Sequence, residues 1–185
     1  MRHLPNLICL VRIGLVWPIL QALWSGRYSW ALGLFVLAAL SDGLDGYLAK
    51  HFGWQSVLGK ILDPLADKLL LVSVFVEAAW LGLVPWWLTA AAVSRDIMIA
   101  LGAVVFRFWF GPLRGRPTIV SKFNTAMQLG ILTGVMMNAA VGFPPRVLLD
   151  IGTVLAFCTT VVSGIDYIVT FTRRAFTAGS SAVRP

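Results

Sequence analysis

Four aspartates, Asp42, Asp45, Asp63 and Asp67, fall within 26 residues of a chain that has only eight acidic side chains. Asp42 and Asp45 are spaced i,i+3 and Asp63 and Asp67 i,i+4, so on helices each pair shares a face. Carboxylates gathered at one point repel one another and are driven toward protonation unless cations neutralise them. An all-oxygen donor set suits hard divalent ions such as Mg²⁺ or Mn²⁺, and four carboxylates can hold two ions roughly 3.5–4 Å apart. Helix capping or ion pairing to Lys50, Lys60 and Lys68 would account for one or two of the four. Capping fits Asp42 and Asp45 poorly, because they fall late in their segment, where the helix dipole disfavours anions. A proton or cation pathway is the stronger competitor, and spacing alone does not exclude it.

The elements that must carry these residues are set by composition. Of the 185 residues, 58% are hydrophobic and 12% charged, with a mean hydropathy of +0.83. Such a chain is predicted to be an all-α integral membrane protein. Six apolar stretches, Leu4–Leu23, Tyr28–Ala49, Leu58–Leu81, Pro85–Phe106, Ile119–Val141 and Val147–Phe171, predict six transmembrane helices in one bundle. The domain is expected over residues 1–174, with a loose tail over 175–185. Nine Lys and Arg fall on one side of the predicted spans, two on the other and four within helices, which makes both termini cytoplasmic and directs the aspartates toward the cytoplasm. Trp24, Trp30, Trp80, Trp86 and Trp87 mark the outer interface, and Trp54 and Trp109 the inner one. The net charge of +7 therefore reads as affinity for an anionic leaflet, not nucleic acid. All eight acids lie inside apolar stretches, where each costs roughly 2.5–3.5 kcal/mol at mid-bilayer unless paired or hydrated. The short segment between the two aspartate pairs predicts that the second and third helices are antiparallel neighbours. Cys9 and Cys158 have no metal-type spacing and are expected to be buried. The first span has no small-residue cleavage pattern and is expected to be retained; without a transit-like leader, a bacterial cytoplasmic membrane is the expected location.

Between the aspartates the chain places small residues, Gly46, Ala49 and Gly59, that could pack helices closely or let a flat nucleotide approach the backbone. The run Asp42-x2-Asp45-Gly46-x2-Ala49-Lys50-x8-Gly59-x3-Asp63-x3-Asp67 resembles the signature of the CDP-alcohol phosphatidyltransferases at every spacing. Lys50 departs from it, standing where the family has arginine; the charge is kept and the bidentate fork is lost. The resemblance implies that Asp42, Asp45, Asp63 and Asp67 bind two Mg²⁺ or Mn²⁺ ions and that Asp67 is also the base for the acceptor hydroxyl. It also implies that Gly46, Lys50, Ser56 and Gly59 contact the CDP-lipid head, and that the protein is a homodimer. The chemistry agrees: a metal-clamped diphosphate can lose CMP when an alkoxide attacks its lipid-side phosphorus.

Three further patches can face inward. Asn6, a helix cap or a CDP-lipid contact, precedes Arg12, which either snorkels or binds ligand. Arg95, in Ser94-Arg95-Asp96, sits too deep to snorkel; its sequence neighbour Asp96 is poorly placed to share its face, which favours an anionic ligand. Ser121, Thr125 and Gln128 form a polar stripe flanked by Lys122 and Asn124, for interhelical bonding or ligand contact. Within the family, these patches look like the cardiolipin synthases that use CDP-diacylglycerol. That implies phosphatidylglycerol as acceptor, bound by Arg12, Arg95, Ser121, Lys122, Asn124 and Thr125; phosphatidylglycerophosphate synthase, using glycerol 3-phosphate, is the alternative. A cation-coupled transporter and a non-catalytic scaffold are the other classes in view.

Overall fold

The computed structural model describes the backbone of residues 4–52, 59–110 and 118–182, and the side chains of residues 9–41, 65–105, 108 and 118–172. Six α-helices are joined in order: α1 (Leu4–Trp24), α2 (Tyr28–Phe52), α3 (Gly59–Trp80), α4 (Trp86–Phe110), α5 (Ile119–Val141) and α6 (Arg146–Ala182). These agree with the six apolar stretches, and the described residues contain no strand. α6 runs on past Arg174 to Ala182; the segment has no proline before Pro185, and a single Gly179 costs only about 1 kcal/mol in a helix.

The hairpins α1–α2, α3–α4 and α5–α6 close through short turns, each using one glycine in the left-handed region: Gly26 (φ 69°), Gly82 (φ 71°) and Gly142 (φ 76°). The backbone N–H of Gly142 returns to Asn138 O at 2.8 Å, and that of Leu83 to Ala78 O at 2.8 Å, satisfying helix-end carbonyls. α5 opens on Thr118, whose extended backbone and side-chain oxygen, accepting from Ser121 N at 3.2 Å, cap the first turn.

α1 packs against both α2 and α3, α5 against α2 and α6, and α4 against α6 and α3. Over the described residues α2 and α3 scarcely touch, because α1 fills the space between them. The ends that carry the two aspartate pairs, where the short connection predicts the approach of α2 and α3, lie outside the residues whose side chains are described. The core of Ile19, Leu23, Phe35, Val74, Phe75, Leu132 and Met136 joins α1, α2, α3 and α5.

Polarity is partly inverted. Arg12 is 1% exposed and Asn124 fully buried, while Trp17 is 74% exposed and Leu, Val, Ile and Phe side chains cover the outside. Trp24, Trp30, Trp80, Trp86 and Trp87 are all exposed near the short turns. Trp86–Val105 and Arg146–Thr172 are long and apolar enough to cross a membrane; Cys9–Trp24 and Tyr28–Ser41 are shorter apolar stretches. An apolar exterior around a partly polar interior is consistent with a membrane protein. Cys9 is buried as expected, but Cys158 is exposed. It lies two residues from both Ala156 and Thr160, about 200° around α6 from the face they bury.

One close approach fixes α6 on α4. A Cβ on Gly102 would overlap the Tyr167 hydroxyl and ring, and that hydroxyl donates to Ile99 O at 3.1 Å. Gly102→Ala is expected to lower stability by about 1–3 kcal/mol through overpacking. Adding Tyr167→Phe, which removes the clashing oxygen, should restore part of the loss; denaturant titration of the detergent-solubilised single and double variants measures the coupling.

Candidate functional site

Arg12 of α1 and Asp67 of α3 form an ion pair. Each lies eight residues in from the first residue of its helix, so α1 and α3 run side by side at matching depth. Arg12 does not snorkel: its side chain is 1% exposed and is held by the carboxylate, which is itself 36% exposed. Asp67 thus combines a buried cationic support with partial exposure. The next residue, Lys68, turns toward α4 and donates to Asp96 Oδ2 at 2.6 Å.

The other oxygen of that carboxylate, Oδ1, accepts from Arg95 Nη1 at 2.7 Å. This corrects the expectation that Asp96 is poorly placed as a partner for Arg95. Their backbones do point about 100° apart, but the long guanidinium folds back, and Lys68 from α3 draws the carboxylate toward the same place. Arg95 goes on to donate from Nη2 to Ser121 Oγ of α5 at 2.6 Å and to Ser163 Oγ of α6 at 2.6 Å, with Nε also on Ser163 at 3.2 Å. Five helices therefore meet in one polar layer. Two cations, Lys68 and Arg95, share the one carboxylate of Asp96, so these three side chains together carry one surplus positive charge.

Deeper along α5 the buried polar positions are Asn124 and Gln128. The polar line on the packed face is Ser121–Asn124–Gln128, so Asn124, expected at the flank of the stripe, is at its centre. Thr159 and Thr160 hydroxyls lie 3.0 and 2.9 Å from Asn124 Oδ1, and Gln128 Nε2 donates to Thr160 at 3.3 Å. Asn124 Nδ2 and, one turn past Ser163, Asp166 Oδ2 are buried without a hydrogen-bond partner among the described residues. Thr125 returns its hydroxyl to Ser121 O at 3.1 Å, and Lys122 is exposed.

The structure thus brings Arg12 to Asp67 and Arg95 to Ser121, and leaves Lys122 outside the layer. Asp42, Asp45, Gly46, Ala49 and Lys50 lie on α2, Asn6 on α1, and Gly59 and Asp63 on α3, but their side chains are outside the described residues; Ser56 lies outside them altogether. Among the described residues no group of three or more metal-ligating side chains occurs. The donor chemistry still suits a hard cation: Asp67 is a partly exposed carboxylate, one helical turn along α3 from the position of Asp63. Sequence reasoning missed Thr160, Ser163 and the bridging role of Asp96. The signal was present as hydroxyl residues at one-turn spacing, Thr159-Thr160 and then Ser163, inside an otherwise apolar stretch.

Asp96→Asn removes the carboxylate that, among the described residues, pairs with both Arg95 and Lys68. A loss of about 3–5 kcal/mol is expected, as for a buried charge left uncompensated. Ser163→Ala should cost only about 1 kcal/mol, one net hydrogen bond. The difference is read from unfolding of both variants in the same detergent.

Comparison with known proteins bears on the same residues. The family model for CDP-alcohol phosphatidyltransferase matches residues 2–171. A human protein named cardiolipin synthase (CMP-forming) is 32% identical over 180 residues, covering 89% of this chain and 60% of its own length. A probable phosphatidylglycerophosphate synthase of Mycobacterium tuberculosis is 28% identical over 181 residues, covering 90% of this chain and 80% of its own length. A cardiolipin synthase (CMP-forming) of Streptomyces coelicolor is 34% identical over 110 residues, 56% of this chain and 51% of the relative. The chain spans about three fifths of the human relative's length. A match along nearly the whole sequence, through all six helices and the aspartate signature, makes the chain a member of the CDP-alcohol phosphatidyltransferase family.

Proposed function

We propose that the chain is a multi-pass membrane enzyme that transfers the phosphatidyl group of CDP-diacylglycerol to the free hydroxyl of phosphatidylglycerol, forming cardiolipin and releasing CMP. In this reading all six helices over residues 1–174 span a bacterial cytoplasmic membrane, with both termini and the aspartates facing the cytoplasm and a homodimer as the assembly. Two Mg²⁺ or Mn²⁺ ions on Asp42, Asp45, Asp63 and Asp67 would clamp the diphosphate and offset the charge that develops as CMP leaves.

The observation that carries the proposal is the adjacency of Asp67 and Lys68. Asp67 is the last aspartate of the signature, and Arg12 keeps it oriented as a carboxylate. Lys68, one residue on, belongs to the layer with surplus positive charge. A phosphate-bearing acceptor drawn to that charge has its free hydroxyl beside Asp67. Asp67 takes the hydroxyl proton; the oxygen attacks the lipid-side phosphorus, and the bond to CMP breaks with its electron pair leaving on CMP. Arg95, Ser121 and the orphaned Nδ2 of Asn124 hold the acceptor's polar head, with Arg12, Lys122 and Thr125 at its margin. Asn6, Gly46, Ala49, Lys50, Ser56 and Gly59 receive the CDP-lipid head.

Glycerol 3-phosphate meets the same charge requirement, and the mycobacterial relative's name favours it. Phosphatidylglycerol is preferred because its chains would match the apolar exterior and because the human and Streptomyces relatives carry the cardiolipin synthase name.

Purified protein given CDP-diacylglycerol is expected to release CMP only when a divalent cation and an acceptor are both present, and chelation should stop it. No CMP with any acceptor, from folded and metal-supplied protein, would sink the proposal. Supplying phosphatidylglycerol and glycerol 3-phosphate separately and identifying the lipid product decides the acceptor; phosphatidylglycerophosphate as sole product overturns the first choice. Asp67→Asn should lower kcat by at least about 10²-fold, the lower range for a general base, with CDP-lipid binding kept within a few-fold. Equal loss of both would argue against a distinct base role.

A further inference from the structure

At the end of the bundle that carries the short turns, remote from the Asp67 layer, a cavity of about 410 Å³ opens between the α3–α4 turn, α4, α5 and the start of α6. Leu83 and Trp87 give it apolar walls, and Asn138, Arg146, Asp150 and Thr153 are its polar groups. Arg146 and Asp150 are one turn apart on α6, yet no ion pair joins them among the described residues. The order matters, because a cation preceding an anion by four residues opposes the helix dipole. Arg146 is moreover the first residue of α6, where the dipole favours an anion; the N–H groups of Leu148 and Leu149 already donate to Pro145 O, which leaves those of Arg146 and Val147 for a ligand.

Thr153 adds an independent sign of a ligand. It is 8% exposed, and its hydroxyl has no hydrogen-bond partner among the described residues. Thr125, Thr133 and Thr172, by contrast, return theirs to the carbonyl four residues earlier. Asn138 binds Pro144 O through Nδ2 at 2.7 Å, which leaves its carbonyl oxygen as an acceptor.

We propose that this cavity is a binding site for a phosphoethanolamine head group. The phosphate sits at the α6 N-terminus on Arg146, and the primary ammonium donates to Asp150, Thr153 Oγ1 and Asn138 Oδ1. A purely anionic head would leave Asp150 facing like charge; a purely cationic one would leave Arg146 unmatched. A quaternary ammonium has no N–H to give to the three acceptors. A two-carbon amino alcohol separates its charges by about one helical turn, the spacing of Arg146 and Asp150. Exposed Trp24, Trp30, Trp80 and Trp86 at the same end set the cavity at head-group depth.

The test presents the full chain in detergent micelles with equal amounts of phosphatidylethanolamine, phosphatidylcholine and phosphatidic acid of one acyl composition. Native mass spectrometry reads the lipid retained. Phosphatidylethanolamine should be retained roughly tenfold over each of the others, the worth of a charge-assisted hydrogen bond. Arg146→Gln and Asp150→Asn should each bring the ratio close to one. In the wild-type protein, excess soluble glycerophosphoethanolamine should displace the retained lipid, and glycerophosphoglycerol should not. Equal retention of the three lipids, a preference kept by both variants, or displacement by neither soluble head group overturns the assignment.

Discussion

The rest of this structure depends on a single carboxylate shared by two cations. Arg95, buried at 5% exposure, needs a counter-charge, and Asp96 supplies it through one oxygen while holding Lys68 through the other. Because Lys68 is on α3 and Arg95 extends to Ser121 on α5 and Ser163 on α6, the carboxylate fixes four helices relative to one another. Apolar packing alone would leave them free to slide. Polar contacts and close packing at positions such as Gly102 determine how the helices register.

The two ends of the bundle meet different demands. The end with the short turns is ordered locally: left-handed glycines reverse the chain within a few residues, and a tryptophan girdle surrounds them. The half containing Arg12, Asp67, Lys68, Asp96 and Arg95 is ordered by charge. α1 belongs to both, contributing Ile19 and Leu23 to the apolar core and Arg12 to the polar layer. That double use explains its position between α2 and α3, since each of those helices needs an apolar partner along most of its length and α3 needs a cation opposite Asp67.

Much of this was legible in the sequence because it rests on periodicity and composition. Helix number and most boundaries follow from apolar runs and glycine-proline punctuation, and the aspartate signature from fixed spacing. What was not legible concerns side-chain reach and three-dimensional neighbours. Asp96 was set aside as a partner for Arg95 because adjacent helical residues diverge, yet a side chain as long as arginine can return across that angle when a third group holds the acceptor. The short connection between α2 and α3 gave no sign that α1 packs against both of them. Asn124 and Thr125 are both within reach of one face in a helical projection, and only the position of α6, bringing Thr159 and Thr160, selects Asn124 as the buried one.

The location of Asp67 and Lys68 on consecutive residues has a mechanical meaning. Successive side chains on a helix diverge by about 100°, so α3 presents Asp67 toward α1 and Lys68 toward α4 at one depth. A rotation of α3 that tightened one contact would loosen the other. With Arg12 and Asp96 holding opposite sides, α3 is restrained against rotation in both directions, and the carboxylate face of Asp67 keeps its aim. A chemical site that demands placement within a fraction of an ångström benefits from such opposed restraints more than from a single strong contact. The ion pairs are therefore best understood as alignment, with net stability a secondary consequence: burying charges costs much of what their attraction returns, but no apolar substitute would supply opposed, directional contacts on adjacent residues.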